Sequence, residues 1–271
     1  MPNYKQQIID SFDRRTDYDG EGIGHDLEAK ELLKCLDIVP EKNILDLATG
    51  TGLVAIDIAQ NSPNSSIIGV DISSGMLAQA EAKITNLGIE NLQLIQADIE
   101  SIEFSSEQFD YIFCCSAIMY IQDIPKLIDK CYSWLKPNGY FAFSTSYKTA
   151  YNAELKVKIC QEILDIDFPH INRPLWTAEK CKTILERANF GDIQTKLKRE
   201  GKYVYREDGQ YIADWDGQDV TPHHSLSWNL TSRQKELLRT EYQKEIDKSV
   251  SDRGLWLDKS KLFVKARKLN N

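Results

Sequence analysis

The chain has 271 residues, 42% of them hydrophobic and 27% charged, a globular composition that excludes a disordered or collagen-like polymer. Its 33 Lys and Arg against 41 Asp and Glu leave a net charge of −8, which speaks against a nucleic-acid or anionic-membrane partner, because phosphate binding needs clustered positive charge. The length suits one α/β core with an added cap.

The N-terminal Met-Pro-Asn-Tyr-Lys lacks the apolar stretch of a signal peptide. Residues 1–24 place Phe12, Arg14, Arg15 and Tyr18 before three closely spaced glycines, Gly20, Gly22 and Gly24, which permit hinge motion. Ala29, Leu32, Leu33 and Leu36 then follow helical spacing, with His25 at the start. From there to residue 144, short β-rich runs alternate with helical patterns, as in a wound parallel sheet. The strands are read at Asn43–Leu47, Ser66–Val70, Asn91–Ile95, Phe109–Cys114 and Tyr140–Ser144. The longest apolar run, 111–121, is interrupted by Ser116 and falls short of the roughly 20 residues that span a bilayer. Asp123 and Pro125 open a helix with Ile124, Leu127, Ile128, Cys131 and Trp134 on one face, ended by a turn at Pro137-Asn138-Gly139.

The last third differs. Thr177 opens a helix with Cys181, Ile184, Leu185 and Ala188 on its apolar face, stopped by Gly191 and followed by a strand near Ile193–Leu197. Tyr203 to Tyr211 reads as a hairpin around Asp208-Gly209. Thr231 and Gln234 have capping-box spacing and open a polar helix to about Ser249. Leu262 to Arg267 is the final strand. The expected organisation is a lid segment (1–24), a core (25–200), a cap insertion (201–255) and a closing strand (256–271). The six cysteines show no Cys-x-x-Cys pair, as expected of reduced thiols in a cytoplasmic protein without a metal site.

The stretch that carries chemistry is Asp46-Leu47-Ala48-Thr49-Gly50-Thr51-Gly52, a strand end running into a glycine-rich turn and a helix. Glycines let a backbone approach a ligand, and the helix start offers free N–H donors. With Ala55, and with Asp71 nineteen residues beyond Gly52, the spacing also fits a dinucleotide fingerprint and hence an NAD-dependent oxidoreductase. A carboxylate at Asp46 would repel a pyrophosphate. It suits a ligand with an ammonium group and no phosphate, such as S-adenosylmethionine.

Here the sequence resembles the class I S-adenosylmethionine-dependent methyltransferases, and within them the small-molecule branch that includes the ubiquinone/menaquinone-type enzymes. The Asp46–Gly52 stretch is similar to the first motif, with Ala48 where many members have glycine. Val70-Asp71-Ile72-Ser73 with Met76 is similar to the second-strand motif, whose acid holds the ribose hydroxyls. Gln96-Ala97-Asp98-Ile99 is similar to the third-strand end, whose acid accepts from the adenine amino group. Phe109 to Ser116 and Leu135 to Phe141 are similar to the fourth strand and the entry to the fifth. The resemblance implies a Rossmann-like α/β fold: a seven-stranded, mostly parallel sheet with helices on both faces and the last strand antiparallel, here with the late cap. It implies cofactor contacts at Asp46, Ala48, Gly50, Gly52, Asp71, Ile72, Met76, Asp98, Ile99 and Ser116, with Tyr18 lining the site from the lid. Three acids at successive strand ends converge on one sheet edge, where open α/β sheets bind ligands.

Methyl transfer needs alignment more than a dedicated catalyst, so no motif fixes a base. His223, in the cap beside His224, and His170, before Trp176, are the candidates for base or acceptor anchor. The cap also carries Tyr203, Tyr205, Tyr211, Trp215 and Trp228 among Glu207, Asp208, Asp214, Asp216 and Asp219, a set that either holds a cationic amine or packs as a cap. The expected partner is a small-molecule methyl acceptor. A non-catalytic cofactor-binding protein of the same fold is the alternative.

Overall fold

A computed structural model describes residues 4–21, 24–168, 170–206, 211 and 230–270. The chain divides into two compact units, the first of residues 1–145, 178–196 and 263–271, the second of residues 146–177 and 197–262.

The first unit opens with α1 (Tyr4–Asp13) and α2 (His25–Leu33). The alternation that follows is β1 (Asn43–Leu47), α3 (Leu53–Asn61), β2 (Ser66–Asp71), α4 (Ser74–Leu87), β3 (Leu92–Gln96), β4 (Phe109–Cys114), α5 (Ile124–Trp134) and β5 (Leu135–Ser146). β1 and β4 are buried almost throughout, the pattern of strands covered on both faces. α5 buries Ile124, Leu127, Ile128, Cys131 and Trp134, and its Asp123 cap accepts the Lys126 N–H at 3.0 Å. α4 is capped by Ser73, whose hydroxyl accepts the Met76 N–H at 3.1 Å.

The sheet order is β3-β2-β1-β4-β5-β10-β6, with β6 (Phe190–Lys198) at one edge and β10 (Lys261–Lys268) the antiparallel strand. β1 pairs in parallel with β2 on one side and β4 on the other, so Asp46 sits opposite Gly69 and Phe113. The chain order reverses between β1 and β4, and this switch point opens a crevice at the strands' carboxyl ends.

Two expected stops move. α5 ends at Trp134 and β5 begins at once, so Pro137-Asn138-Gly139 lies within the strand. Phe109 pairs with Leu135 and Tyr111 with Tyr140, so the turn residues form a bulge, with Asn138 at φ 67°. After α7 (Ala178–Arg187) the chain is turned by Asn189 at φ 65°, and Gly191 lies inside β6 (Phe190–Lys198).

The second unit holds α6 (Ala153–Leu164), α8 (Ser232–Ser249) and an antiparallel sheet of β7 (Gly201–Val204), β9 (Gly254–Asp258) and β8 (Val250–Ser251), ordered β7-β9-β8. The Thr231–Gln234 capping box is present. β7 pairs with β9; the turn of the hairpin expected about Asp208-Gly209 lies outside the described residues. The apolar faces of α6 and α8 bury Ile159, Cys160, Leu238, Tyr242 and Ile246 with Phe168 and Tyr211. The compact unit thus takes in 146–177 as well as most of the late segment read as a cap.

Candidate functional site

The glycine-rich turn is built by backbone conformation. Ala48, Gly50 and Gly52 lie at φ 52°, 57° and 80°, the left-handed region. A Cβ on Gly50 would meet nothing within 4 Å, so this turn presents bare backbone to open space. On Gly52 it would lie 2.9 Å from Ile56 Cδ1, so glycine there also lets α3 start tightly. Ala48 carries a strain that glycine would not. Ala48→Gly is therefore expected to stabilise the chain by up to about 1 kcal/mol after the added unfolded-state entropy, measured by urea unfolding. A loss of stability would show that the turn needs the methyl group.

Two buried carboxylates hold the turn. Asp71 Oδ2 accepts the Gly50 N–H at 2.7 Å and Oδ1 accepts the Ser73 N–H at 2.9 Å. Asp71 is 7% exposed, and burial pushes its carboxyl above the usual range against these donors. Asp46, 1% exposed, accepts the Thr49 hydroxyl at 2.6 Å. Burial raises it to about 7, opposed by Thr49 and the Ala55 N–H and assisted by the Asp71 charge.

Tyr18, Asp46, Ala48, Gly50 and Ser116 line one cleft, together with Glu28 and His25. The other expected contacts lie outside its lining. Gly52 caps α3, Asp71 pins the turn, and Met76 and Ile99 are buried. Ile72 is half-buried, and its carbonyl accepts from Gln96 at 3.5 Å. Asp98 is paired with Lys5 and accepts the Glu100 N–H at 2.9 Å.

The N-terminal segment closes on three successive strand ends. Lys5 meets Asp98 beyond β3, Asp13 accepts from Ser73 and from the Gly75 N–H (2.9 Å) beyond β2, and Asp19 accepts the Thr51 hydroxyl at 2.6 Å beyond β1. Tyr18 stacks on His25 with ring centroids 4.5 Å apart, and Arg15 covers the Tyr18 ring at 4.2 Å. Burial holds the Tyr18 phenol well above its ordinary range.

Sequence reasoning missed Glu28 as a cleft residue. On α2 it is 8% exposed, and its Oε1 accepts the Ser116 hydroxyl at 2.6 Å and the Ser144 hydroxyl at 2.7 Å. An acid in a first helical turn reads as a dipole-facing surface residue, and its serine partners are 88 and 116 residues away. Only the placing of Ser116 at a strand end hinted at the contact.

The two histidine candidates are not brought to this cleft by anything described. His170 is buried in the second unit, where its Nδ1 accepts the Asn172 N–H at 3.2 Å. His223 lies outside the described residues, as do His224, Trp215, Trp228, Asp214, Asp216 and Asp219. Among the described residues, no helix is long and apolar enough to cross a membrane.

Residues 38–207 match a family model described as a methyltransferase domain. The ubiquinone/menaquinone biosynthesis C-methyltransferase UbiE of Rickettsia prowazekii is 32% identical over 144 residues, 51% of this chain and 57% of that protein. Malonyl-[acyl-carrier protein] O-methyltransferase 2 of Ilyobacter polytropus is 38% identical over 109 residues, 40% of this chain and 41% of that protein. The chain thus spans about half the length of these curated relatives. Among solved structures, Haemonchus contortus phosphoethanolamine N-methyltransferase 2, in complex with phosphomonomethylethanolamine and S-adenosylhomocysteine, superposes with a TM-score of 0.56 at 19% identity. That match covers 90% of this chain and 53% of the other and shows a shared fold.

Proposed function

The chain belongs to the class I S-adenosylmethionine-dependent methyltransferases, and on that premise we propose that it transfers a methyl group from S-adenosylmethionine to an oxygen, nitrogen or carbon atom of a small metabolite. The observation that carries the proposal is the pairing of an open left-handed turn at Gly50 with a buried acid, Asp46, at its base. That acid disfavours a pyrophosphate, and with it the dinucleotide alternative, and favours an ammonium group. The bound cofactor supplies a methyl group on a sulfonium, whose sulfur keeps the bonding pair and leaves as a neutral thioether.

In this proposal the chain's own residues position and enclose. Asp71 accepts from the ribose hydroxyls while holding Gly50, Asp46 faces the amino end, and Asp98 shares its carboxylate between Lys5 and the adenine amino group. Ile72, Met76 and Ile99 supply apolar surface near the adenine. Ala48, Gly50 and Gly52 bring the backbone close, and Ser116 and Tyr18 close the cleft. Residues 1–24 act as the lid; the three staples from Lys5, Asp13 and Asp19 support this role. His170 and His223 stay the candidates for base or acceptor anchor, and a role for either predicts that its alanine variant lowers kcat with S-adenosylhomocysteine affinity unchanged.

The test is incubation of the chain with methyl-labelled S-adenosylmethionine and pools of small metabolites, read by mass spectrometry. A labelled product is the expected result. Cofactor binding without transfer to any pool would favour the non-catalytic partner instead.

A further inference from the structure

We propose that the Glu28 carboxylate is the counter-charge to the cofactor's sulfonium, so that the site holds the charged methyl donor more tightly than the neutral thioether product. This rests on the cofactor assignment above.

The strand order supplies the first argument. The donor is a linear molecule: adenine, ribose, sulfonium, amino acid. The acids assigned to adenine and ribose, Asp98 and Asp71, stand at the ends of β3 and β2, which are neighbours in the sheet. Continuing in the same direction, the sheet presents β1 and then β4, about 4.8 Å per strand. The group following the ribose therefore falls at the β1–β4 crevice. Two carboxylates line that cleft, Asp46 and Glu28.

Their surroundings differ. Asp46 lies at the base of the turn, turned toward Thr49, and its carboxyl is raised to about 7 by burial, so near neutrality it carries only part of a charge. Glu28 is held by donors from two strand ends: the Ser116 and Ser144 hydroxyls converge on one oxygen, and the Ser116 N–H in turn donates to Ser144 Oγ at 2.9 Å. Converging hydroxyl donors stabilise a carboxylate and fix its direction before a ligand arrives. Its place in the first turn of α2 adds the favourable end of the helix dipole. The stacked Tyr18 and His25 rings line the same cleft and offer aromatic surface to a cation.

S-adenosylmethionine and S-adenosylhomocysteine share adenosine, ammonium and carboxylate groups and differ in the methyl group and the charge on sulfur. The ratio of their affinities isolates that charge. The experiment is calorimetric titration of the full chain with each, for the wild type and for Glu28→Gln, which keeps the side-chain oxygen that the serines address. The expected result is a tenfold or greater loss of S-adenosylmethionine affinity with S-adenosylhomocysteine affinity changed less than threefold; retained product binding also shows that the variant is folded. Ser116→Ala, which keeps the charge and removes one donor, is expected to shift the ratio the same way by a smaller factor. Equal losses for both ligands, or an unchanged ratio in both variants, would overturn the proposal. A wild type that binds neither ligand would instead overturn the cofactor assignment beneath it.

Discussion

Asp71→Ala is expected to weaken S-adenosylhomocysteine binding by about a hundredfold, or about 3 kcal/mol. The carboxylate holds Gly50 and Ser73 through their N–H groups, at 2.7 and 2.9 Å. Hydrogen bonds to a charged acceptor contribute about 1.5–3 kcal/mol each, so truncation both loosens the turn and removes the proposed ribose acceptor. The effect on the unliganded chain is smaller, because two opposed effects meet there. The variant orphans two backbone donors, yet it also relieves the burial that pushes Asp71 upward. Calorimetry with S-adenosylhomocysteine reads the first quantity and urea unfolding the second. A variant that binds like the wild type would remove Asp71 from the site.

Asp46 is expected to make stability depend on pH in the sense opposite to an ion-paired carboxylate. Its folded value, about 7, lies above the ordinary 3.8, chiefly through burial, so the folded chain favours the protonated acid. The contribution is fully present below about pH 4 and is lost as pH rises through 7; the difference is worth about 4 kcal/mol. Other acids act in reverse: Asp110 is held down by Lys136, and Glu31 by Lys34 and Lys196 to about 2. Comparison with Asp46→Asn cancels those contributions. The variant is expected to match the wild type near pH 4 and to exceed it at pH 8 by up to about 4 kcal/mol in urea unfolding, while binding S-adenosylhomocysteine more weakly. A stability difference that does not change between pH 4 and 8 would contradict the burial argument. The site thus stores an unfavourable buried acid that a cationic ligand would relieve, and binding near pH 6 is expected to release protons.

The strands and caps of the core were legible because each rests on local chemistry. β1 and β4 are where their apolar runs put them, and Asp123 and Thr231 cap the helices they were expected to cap. The shared edge of Asp46, Asp71, Asp98 and Ser116 follows from parallel pairing once the strands are known. What local pattern does not carry was missed. Pro137-Asn138-Gly139 has turn chemistry, and only the register with β4 makes it a bulge. Tyr203 and Val204 have a strand's composition, but the partners described for them, Trp256 and Leu255, are some fifty residues away, beyond the reach of local pattern. Glu28 is hidden for the same reason, since its burial depends on Ser116 and Ser144. The pairing of Lys5 with Asp98 likewise joins residues 93 apart, beyond the reach of local pattern.

The most direct measurement is calorimetric titration of the wild-type chain with S-adenosylhomocysteine, with NADH as the control ligand. Micromolar binding of S-adenosylhomocysteine and none of NADH is expected. Binding of NADH instead, or of neither ligand, would contradict the assignment of the Gly50 cleft to a methyl donor.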